Sequence, residues 1–131
     1  MTRYEKAVEN HKKGYNCAQA VACAFANELG YSEDELFRLA EGFGGGMGGT
    51  RSTCGAVSGM VMVAGGVKSH GVDALPDTNK AVSYAFAREL MEEFEKRVGT
   101  LLCCDIKEKK LLSCDGCIEL GVKILEERLG L

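Results

Sequence analysis

The chain has 131 residues, a length that suits one ordinary domain and is too short for two. Its composition, 46% hydrophobic and 27% charged, is that of a globular protein with enough apolar side chains for a core. A formal net charge of −3 argues against a surface for nucleic acid or for an anionic membrane. The chain contains seven cysteines, and an odd number excludes complete pairing in disulfides. Cysteine chemistry is therefore the class of function that the composition favours.

The amino-terminal residues are polar and mixed in charge, so no secretory signal is predicted. The longest uncharged stretch, 52–67, is shorter than a bilayer-spanning helix and contains four glycines. We therefore expect a cytoplasmic protein without a membrane partner. Thiols in the cytoplasm stay reduced unless they bind metal or cycle, which favours metal-binding or redox cysteines over structural disulfides.

Capping signatures predict three helices in the first forty residues. The three pairs are Thr2 with Glu5, Asn16 with Gln19, and Ser32 with Glu35. Gly14 is predicted to interrupt the first helix, and Gly30 to end a second one that continues to Leu29. All three helices are thus placed by short-range signals.

The rest of the chain is predicted to be helical apart from a glycine-rich loop over 42–49. Further helices are predicted over 54–67, from 77 or 78 to 98, and over about 115–129. No stretch alternates as a strand would. We therefore predict an all-α fold, a compact bundle of roughly five to seven helices in a single domain, 1–131.

Four predicted helix starts carry a cysteine. The four residues are Cys17, Cys54, Cys103 and Cys117. At a helix start, free backbone N–H groups and the helix dipole stabilise a thiolate. Unrelated core cysteines would have no reason to share this placement. We therefore predict that these four cysteines are redox-active or hold a metal.

The other three cysteines have different predicted roles. Cys23 lies between alanines inside a helix and is predicted to be a core residue. Cys104 adjoins Cys103, and Cys114 forms a Cys-x-x-Cys pair with Cys117, so both are alternates for the functional positions. That pair lacks the βαβ context of thioredoxins, the histidine of haem attachment and the second knuckle of structural zinc sites. A four-thiolate iron–sulfur site remains chemically open.

The glycine motifs are interpreted as structural. Gly44, Gly46 and Gly49 match a dinucleotide fingerprint, but a helix precedes them where the fingerprint needs a strand, so no nucleotide is predicted. We expect glycine backbones to approach a bound centre closely, with Gly45, Gly46 and Gly55 as the candidate contacts.

Two histidines and one run of lysines are interpreted as surface features. His11 and His70 are predicted to face solvent. The segment 107–110, with three lysines and a glutamate, is predicted to be a solvated face. None of these residues is assigned to a functional site.

Segments spread over the whole chain share one pattern of cysteines and glycines. They are Gly14–Val21, Gly42–Met47, Cys54–Gly59, Gly99 with Cys103 and Asp105-Ile106, and Cys117 with Val122 and Leu125. Together they resemble the redox-active proteins labelled by the cysteine pattern C_GCAxxG_C_C. The central block of this chain reads Cys-Gly-Ala-x-x-Gly, a slightly different order of letters.

The resemblance implies an all-helical protein whose four motif cysteines are redox-active or hold a metal centre. A similar domain in split-Soret-type cytochromes is associated with an iron–sulfur centre, and this chain has no haem motif. The cofactor to expect is therefore an iron–sulfur cluster or none, without haem or nucleotide. The resemblance names no substrate.

Three hypotheses of function follow. The first is a redox or electron-transfer protein with an unknown redox partner, whose motif cysteines are iron–sulfur ligands or cycle as thiol and disulfide. In the thiol version a helix-terminal thiolate such as Cys17 or Cys54 attacks. The second is a metal-binding module for zinc or for metal sensing near a transporter, and the third is an interaction protein with inert cysteines. An oxidoreductase activity and a homo-oligomeric state stay open.

Overall fold

A computed structural model describes all residues, 1–131, and contains eight α-helices and no β-strand. The helices are α1 (Arg3–Lys13), α2 (Cys17–Cys23), α3 (Ala26–Leu29), α4 (Glu33–Ala40), α5 (Gly55–Lys68), α6 (Lys80–Val98), α7 (Cys103–Glu108) and α8 (Cys114–Leu129). Six of them have at least seven residues, so the predicted all-α bundle is confirmed. Single 3₁₀ turns cover Glu41–Phe43 and Val72–Ala74. None of the helices combines the length and the apolar character that crossing a membrane requires.

All three predicted capping boxes form. At Asn16 the cap side chain accepts from the backbone N–H of Gln19, and the Gln19 side chain accepts from the backbone N–H of Asn16, both at 2.9 Å. Gly14 follows α1 with a φ of 123°, and Gly30 follows α3 with a φ of 75°. These conformations suit glycine, which has no Cβ to strain the backbone. The helix starts and stops are therefore set by local chemistry.

The predicted helix from Cys17 to Leu29 is interrupted after Cys23. A turn there carries Phe25, whose side chain is fully buried. The guanidinium carbon of Arg3 lies 4.9 Å from the centre of the Phe25 ring and covers it. Burying a large aromatic side chain offsets the loss of helix continuity.

Helix α5 is the central element of the bundle and packs against α2, α6 and α8. Its small residues allow the predicted close approach of backbones. A Cβ at Gly59 would lie 2.9 Å from the Cβ of Val21 and 3.0 Å from the carbonyl oxygen of Ala18. Helices α5 and α2 can therefore pack this closely because Gly59 has no side chain.

We expect Gly59→Ala to destabilise the protein by about 1–3 kcal/mol, because the added methyl overpacks the contact between α2 and α5. Gly65→Ala is the matched control, since Gly65 lies in the same helix and its Cβ would meet nothing within 4 Å. There the higher helix propensity of alanine should stabilise the protein by about 0.5–1 kcal/mol. Urea unfolding under reducing conditions measures both, and equal shifts would contradict the close packing at Gly59.

Candidate thiol site

The beginnings of α2, α5, α7 and α8 surround one cavity of about 180 Å³, which we call the thiol cavity. Five of the seven cysteines line it: Cys17, Cys54, Cys103, Cys114 and Cys117. All seven cysteines carry free thiols. The structure thus brings the four predicted cysteines together and adds Cys114, one of the two alternates. Cys104, the other alternate, does not line the cavity.

The predicted core cysteine, Cys23, lies apart from the thiol cavity and is 7% exposed. Its thiol donates to the carbonyl oxygen of Glu33 at 3.6 Å. Burial raises the pKa of Cys23 to about 11. Its placement therefore matches the predicted packing role.

An isolated antiparallel bridge between Thr53 and Leu102 joins the segment before α5 to the segment before α7. On both sides of this bridge a cysteine N–H donates to the opposite backbone, at 2.8 Å for Cys54 and 2.6 Å for Cys103. Two cysteines that are far apart in the sequence are thereby held at the same wall of the cavity.

Glycines let backbone segments approach the cysteines closely. A Cβ at Gly46 would lie 2.8 Å from the Cβ of Cys103, and one at Gly55 would lie 3.1 Å from the Cβ of Cys17. Gly45 and Gly46 have φ values of 62° and 73°, which favour glycine. All three glycines line the cavity, where they were expected. Their contact with a bound centre stays a prediction.

The thiols of Cys54 and Cys117 both line the thiol cavity and change each other's acidity. The S–H of Cys117 donates to the sulfur of Cys54 and lowers the pKa of Cys54 to about 7, against the effect of burial. The backbone N–H groups of Ala56 and Val57 and the ammonium group of Lys107 also lower this pKa. The same contact raises the pKa of Cys117 far above its ordinary value. The directions of the two shifts therefore favour placing a negative charge on Cys54 and keeping the proton on Cys117.

Cys17 behaves differently, although it also lies at a helix start. Burial raises the pKa of Cys17 to about 12, and the nearby sulfurs of Cys114 and Cys54 raise it further. Burial also raises the pKa of Cys103. At Cys17 the loss of hydration outweighs the dipole of a helix of seven residues. Of the two helix-terminal thiolates expected from the sequence, the structure stabilises the one at Cys54.

A histidine and an aspartate form a polar pair beside the cysteines, which the sequence did not predict. The Nδ1 atom of His11 lies 2.7 Å from Oδ1 of Asp115, and His11 lines the thiol cavity. His11 is half-buried, with 28% of its side chain exposed, whereas His70 is exposed as predicted. The pair forms because α1 packs along α8, a long-range contact that no local sequence signal reports.

Lys107 also has a place at the cavity that the sequence analysis did not assign. It is exposed, as predicted for the segment 107–110, but it also lines the thiol cavity. Its positive charge lowers the pKa of both Cys54 and Cys17. The lysine run is therefore a solvated face with one end at the thiols.

These features define a helical, cysteine-rich protein in which helix starts gather thiols around one cavity. The family described as "Putative redox-active protein (C_GCAxxG_C_C)" matches residues 15–128. The chain belongs to this family, whose members are thus described as redox-active, and the resemblance noted from the sequence is confirmed. No curated protein and no solved structure matches the chain.

We expect Gly46→Ala to lower stability more than Gly49→Ala. Both positions have similar positive φ values, 73° and 77°, so both substitutions introduce about 1–2 kcal/mol of backbone strain. Only at Gly46 would the new methyl group also press on Cys103, at a further cost of about 1–3 kcal/mol. Gly49 has nothing within 4 Å. Equal losses in urea unfolding would show that the cavity wall is not tightly packed at Gly46.

In the reduced, metal-free protein we expect the thiol of Cys54 to ionise near pH 7, well below an ordinary thiol. Alkylation of Cys54 by iodoacetamide, followed by mass spectrometry across pH, measures this pKa. Because the Cys117 thiol stabilises the anion, Cys117→Ala should shift the alkylation profile to higher pH. A wild-type profile that rises only near pH 9 would contradict the contact.

Proposed function

We propose that the chain is an electron-transfer protein whose thiol cavity holds a small iron–sulfur centre, with Cys17, Cys54, Cys103 and Cys117 as its ligands. The observation that carries this proposal is that thiols from four helix starts meet at one cavity. Membership of a family described as redox-active supports the coarser part of the proposal. Cys114, which also lines the cavity, is the alternate for the fourth ligand.

The donor set of the cavity suits such a centre. Soft thiolates are the ligands that iron–sulfur clusters take, and four of them complete a cluster. The thiols surround a space of about 180 Å³. An iron–sulfur centre, when bound, accepts and releases one electron at a time. The donor set and the space between the thiols therefore suit a centre of several atoms.

The charge around the cavity favours anionic sulfur. Helices α5 and α8, with 14 and 16 residues, both begin at the cavity, where the positive ends of their dipoles lie. Lys107 adds a full positive charge. Positive surroundings stabilise thiolate ligands and the additional negative charge of a reduced centre, and so raise its reduction potential.

Burial of the thiols also supports a resident centre. Cys54, Cys103 and Cys117 are 5%, 7% and 2% exposed. Exchange with the disulfide of another protein requires that an attacking thiolate reach the foreign sulfur. Thiols this deeply buried are better placed to hold a centre inside the protein than to attack a large substrate.

A second candidate function, oxidation of the dithiol, is favoured by the contact between Cys54 and Cys117. The Cys54 thiolate attacks one sulfur of a small disulfide, which forms a mixed disulfide and releases one thiolate. Cys117 then gives its proton to solvent and attacks the Cys54 sulfur, which releases the second thiolate. The protein ends with a disulfide between Cys54 and Cys117, and two electrons have passed to the small disulfide.

Anaerobic purification, followed by iron and sulfide analysis and an absorption spectrum, tests the proposal. We expect brown protein that contains iron and acid-labile sulfide. Replacing any of the four ligands by serine should lower the iron content at least about tenfold. Cys23→Ser is the matched control, because Cys23 is equally buried but lies away from the cavity, and it should keep its iron.

The other outcomes decide between the alternatives. Zinc without iron would contradict the proposal and support the metal-binding module expected as the alternative. Metal-free protein that reversibly forms a disulfide between Cys54 and Cys117 would contradict it in favour of the dithiol. Loss of iron in Cys114→Ser with retention in Cys117→Ser would reassign the fourth ligand. Likewise, loss of iron in Cys104→Ser with retention in Cys103→Ser would reassign the third ligand.

A further inference from the structure

An apolar groove opens beside the thiol cavity, with a volume of about 430 Å³. Four apolar residues line it, and we call them the apolar groove: Val98, Leu111, Leu112 and Leu120. The charged side chains of Arg97, Glu119 and Lys123 also line this groove. Leu112 lines both cavities, and Leu111 and Leu112 are 42% and 36% exposed. Gly116, which lies between Cys114 and Cys117 in the sequence, also lines the groove. The groove is therefore a direct neighbour of the thiols.

Four exposed cations without an ion-pair partner lie on the segments that border the thiol cavity. We call these residues the basic rim: Arg51, Lys107, Lys109 and Lys110. Lys107 lines the cavity itself, and the positive charge of Arg51 lowers the pKa of Cys103. The carbonyl oxygen of Arg51 also accepts from the N–H of Cys104 at 3.0 Å.

The acidic residues of this region only partly offset the rim. Oδ1 of Asp115 lies within hydrogen-bonding distance of Nδ1 of His11, and Glu119 forms an ion pair with Lys123 at 2.9 Å. Glu108 is the acidic member of the run 107–110, which keeps an excess of two positive charges from three lysines and one glutamate. The chain as a whole has a net charge of −3. Asp105, which accepts from the hydroxyl of Thr100, offsets one further positive charge. The face around the thiols therefore keeps a small positive excess, although the chain as a whole is acidic.

We propose that the basic rim and the apolar groove together form the docking face for an acidic electron-transfer protein. The inference rests on the proposed redox function, because it places the partner next to the thiol cavity. Local charge of one sign steers a partner of the opposite sign and sets its orientation. The groove then accepts an apolar side chain of the partner as the anchor of the interface. A small inorganic anion would make use of the rim but would gain nothing from the groove.

Electron transfer from the reduced protein to two small oxidants of opposite charge tests the sign of this face. The probes are the anion ferricyanide and the cation hexaammineruthenium(III), each followed by stopped-flow absorbance from low to high salt. We expect the ferricyanide rate to fall about tenfold as salt rises, since screening removes the attraction. If the net charge of the whole chain governed the reaction, the ferricyanide rate would rise instead.

Charge reversal on the rim should remove this attraction. Lys109→Glu/Lys110→Glu is expected to lower the ferricyanide rate at low salt about tenfold, while leaving the iron content unchanged. Lys80→Glu/Arg88→Glu makes the same change in net charge on exposed residues of α6 that line neither cavity. That control should stay within about twofold of the wild type. Equal effects of the two double variants would overturn the docking face.

A protein probe distinguishes a protein partner from a small anion. Reduced flavodoxin, an acidic flavoprotein, serves as the electron donor to the oxidised protein. We expect Leu111→Ser to slow this reaction several-fold, roughly the loss of one apolar anchor, and to leave the ferricyanide rate unchanged. If Leu111→Ser leaves the flavodoxin rate unchanged, the face binds anions without a protein anchor, and the inference is wrong. If electrons pass to neither oxidant, the proposed function itself fails.

Discussion

The thiol cavity depends on backbone segments that lie closer to cysteine side chains than a residue with a Cβ ordinarily comes. Gly46 adjoins Cys103 and Gly55 adjoins Cys17, so the walls of the site are main chain instead of side chain. The same device recurs deeper in the bundle, where Gly59 meets Val21. Close packing of α5 therefore sets both the core and the geometry of the thiols. A change in one of these contacts would displace sulfur atoms as well as core residues.

Thiols that share one cavity have unequal acidities. Hydrogen bonding favours the thiolate at Cys54, while burial keeps Cys17 and Cys103 protonated in the metal-free protein. A cavity with several buried anions and no counter-charge would be costly, because each loses its hydration. One thiolate among neutral thiols is a state that the free protein sustains. Additional thiolates require a cation, which is the electrostatic role that the proposed metal centre would have.

Local signals in the sequence predicted much of the fold and part of the site. The capping pair Asn16 and Gln19 placed the start of α2, and with it Cys17, because such caps involve residues only three apart. The contact between His11 and Asp115 joins residues 104 positions apart and follows from the packing of α1 on α8. No periodicity or spacing reports a contact of that kind. The difference in acidity between Cys17 and Cys54 could not be predicted from the sequence either, because it depends on burial and on a neighbouring thiol.

The bridge between Thr53 and Leu102 joins two cysteine-bearing segments that are far apart in the sequence, so this wall of the site forms only as the chain folds. The cysteines of the cavity come from segments that extend from Cys17 near the start of the chain to Cys117 in the last helix. A growing or partly folded chain therefore holds isolated thiols, without a preformed set of donors. The complete set exists only after α8 has docked, so acquisition of the proposed metal centre would be a late event that reports on correct folding. A centre held in this way would in turn stabilise the finished fold against unfolding.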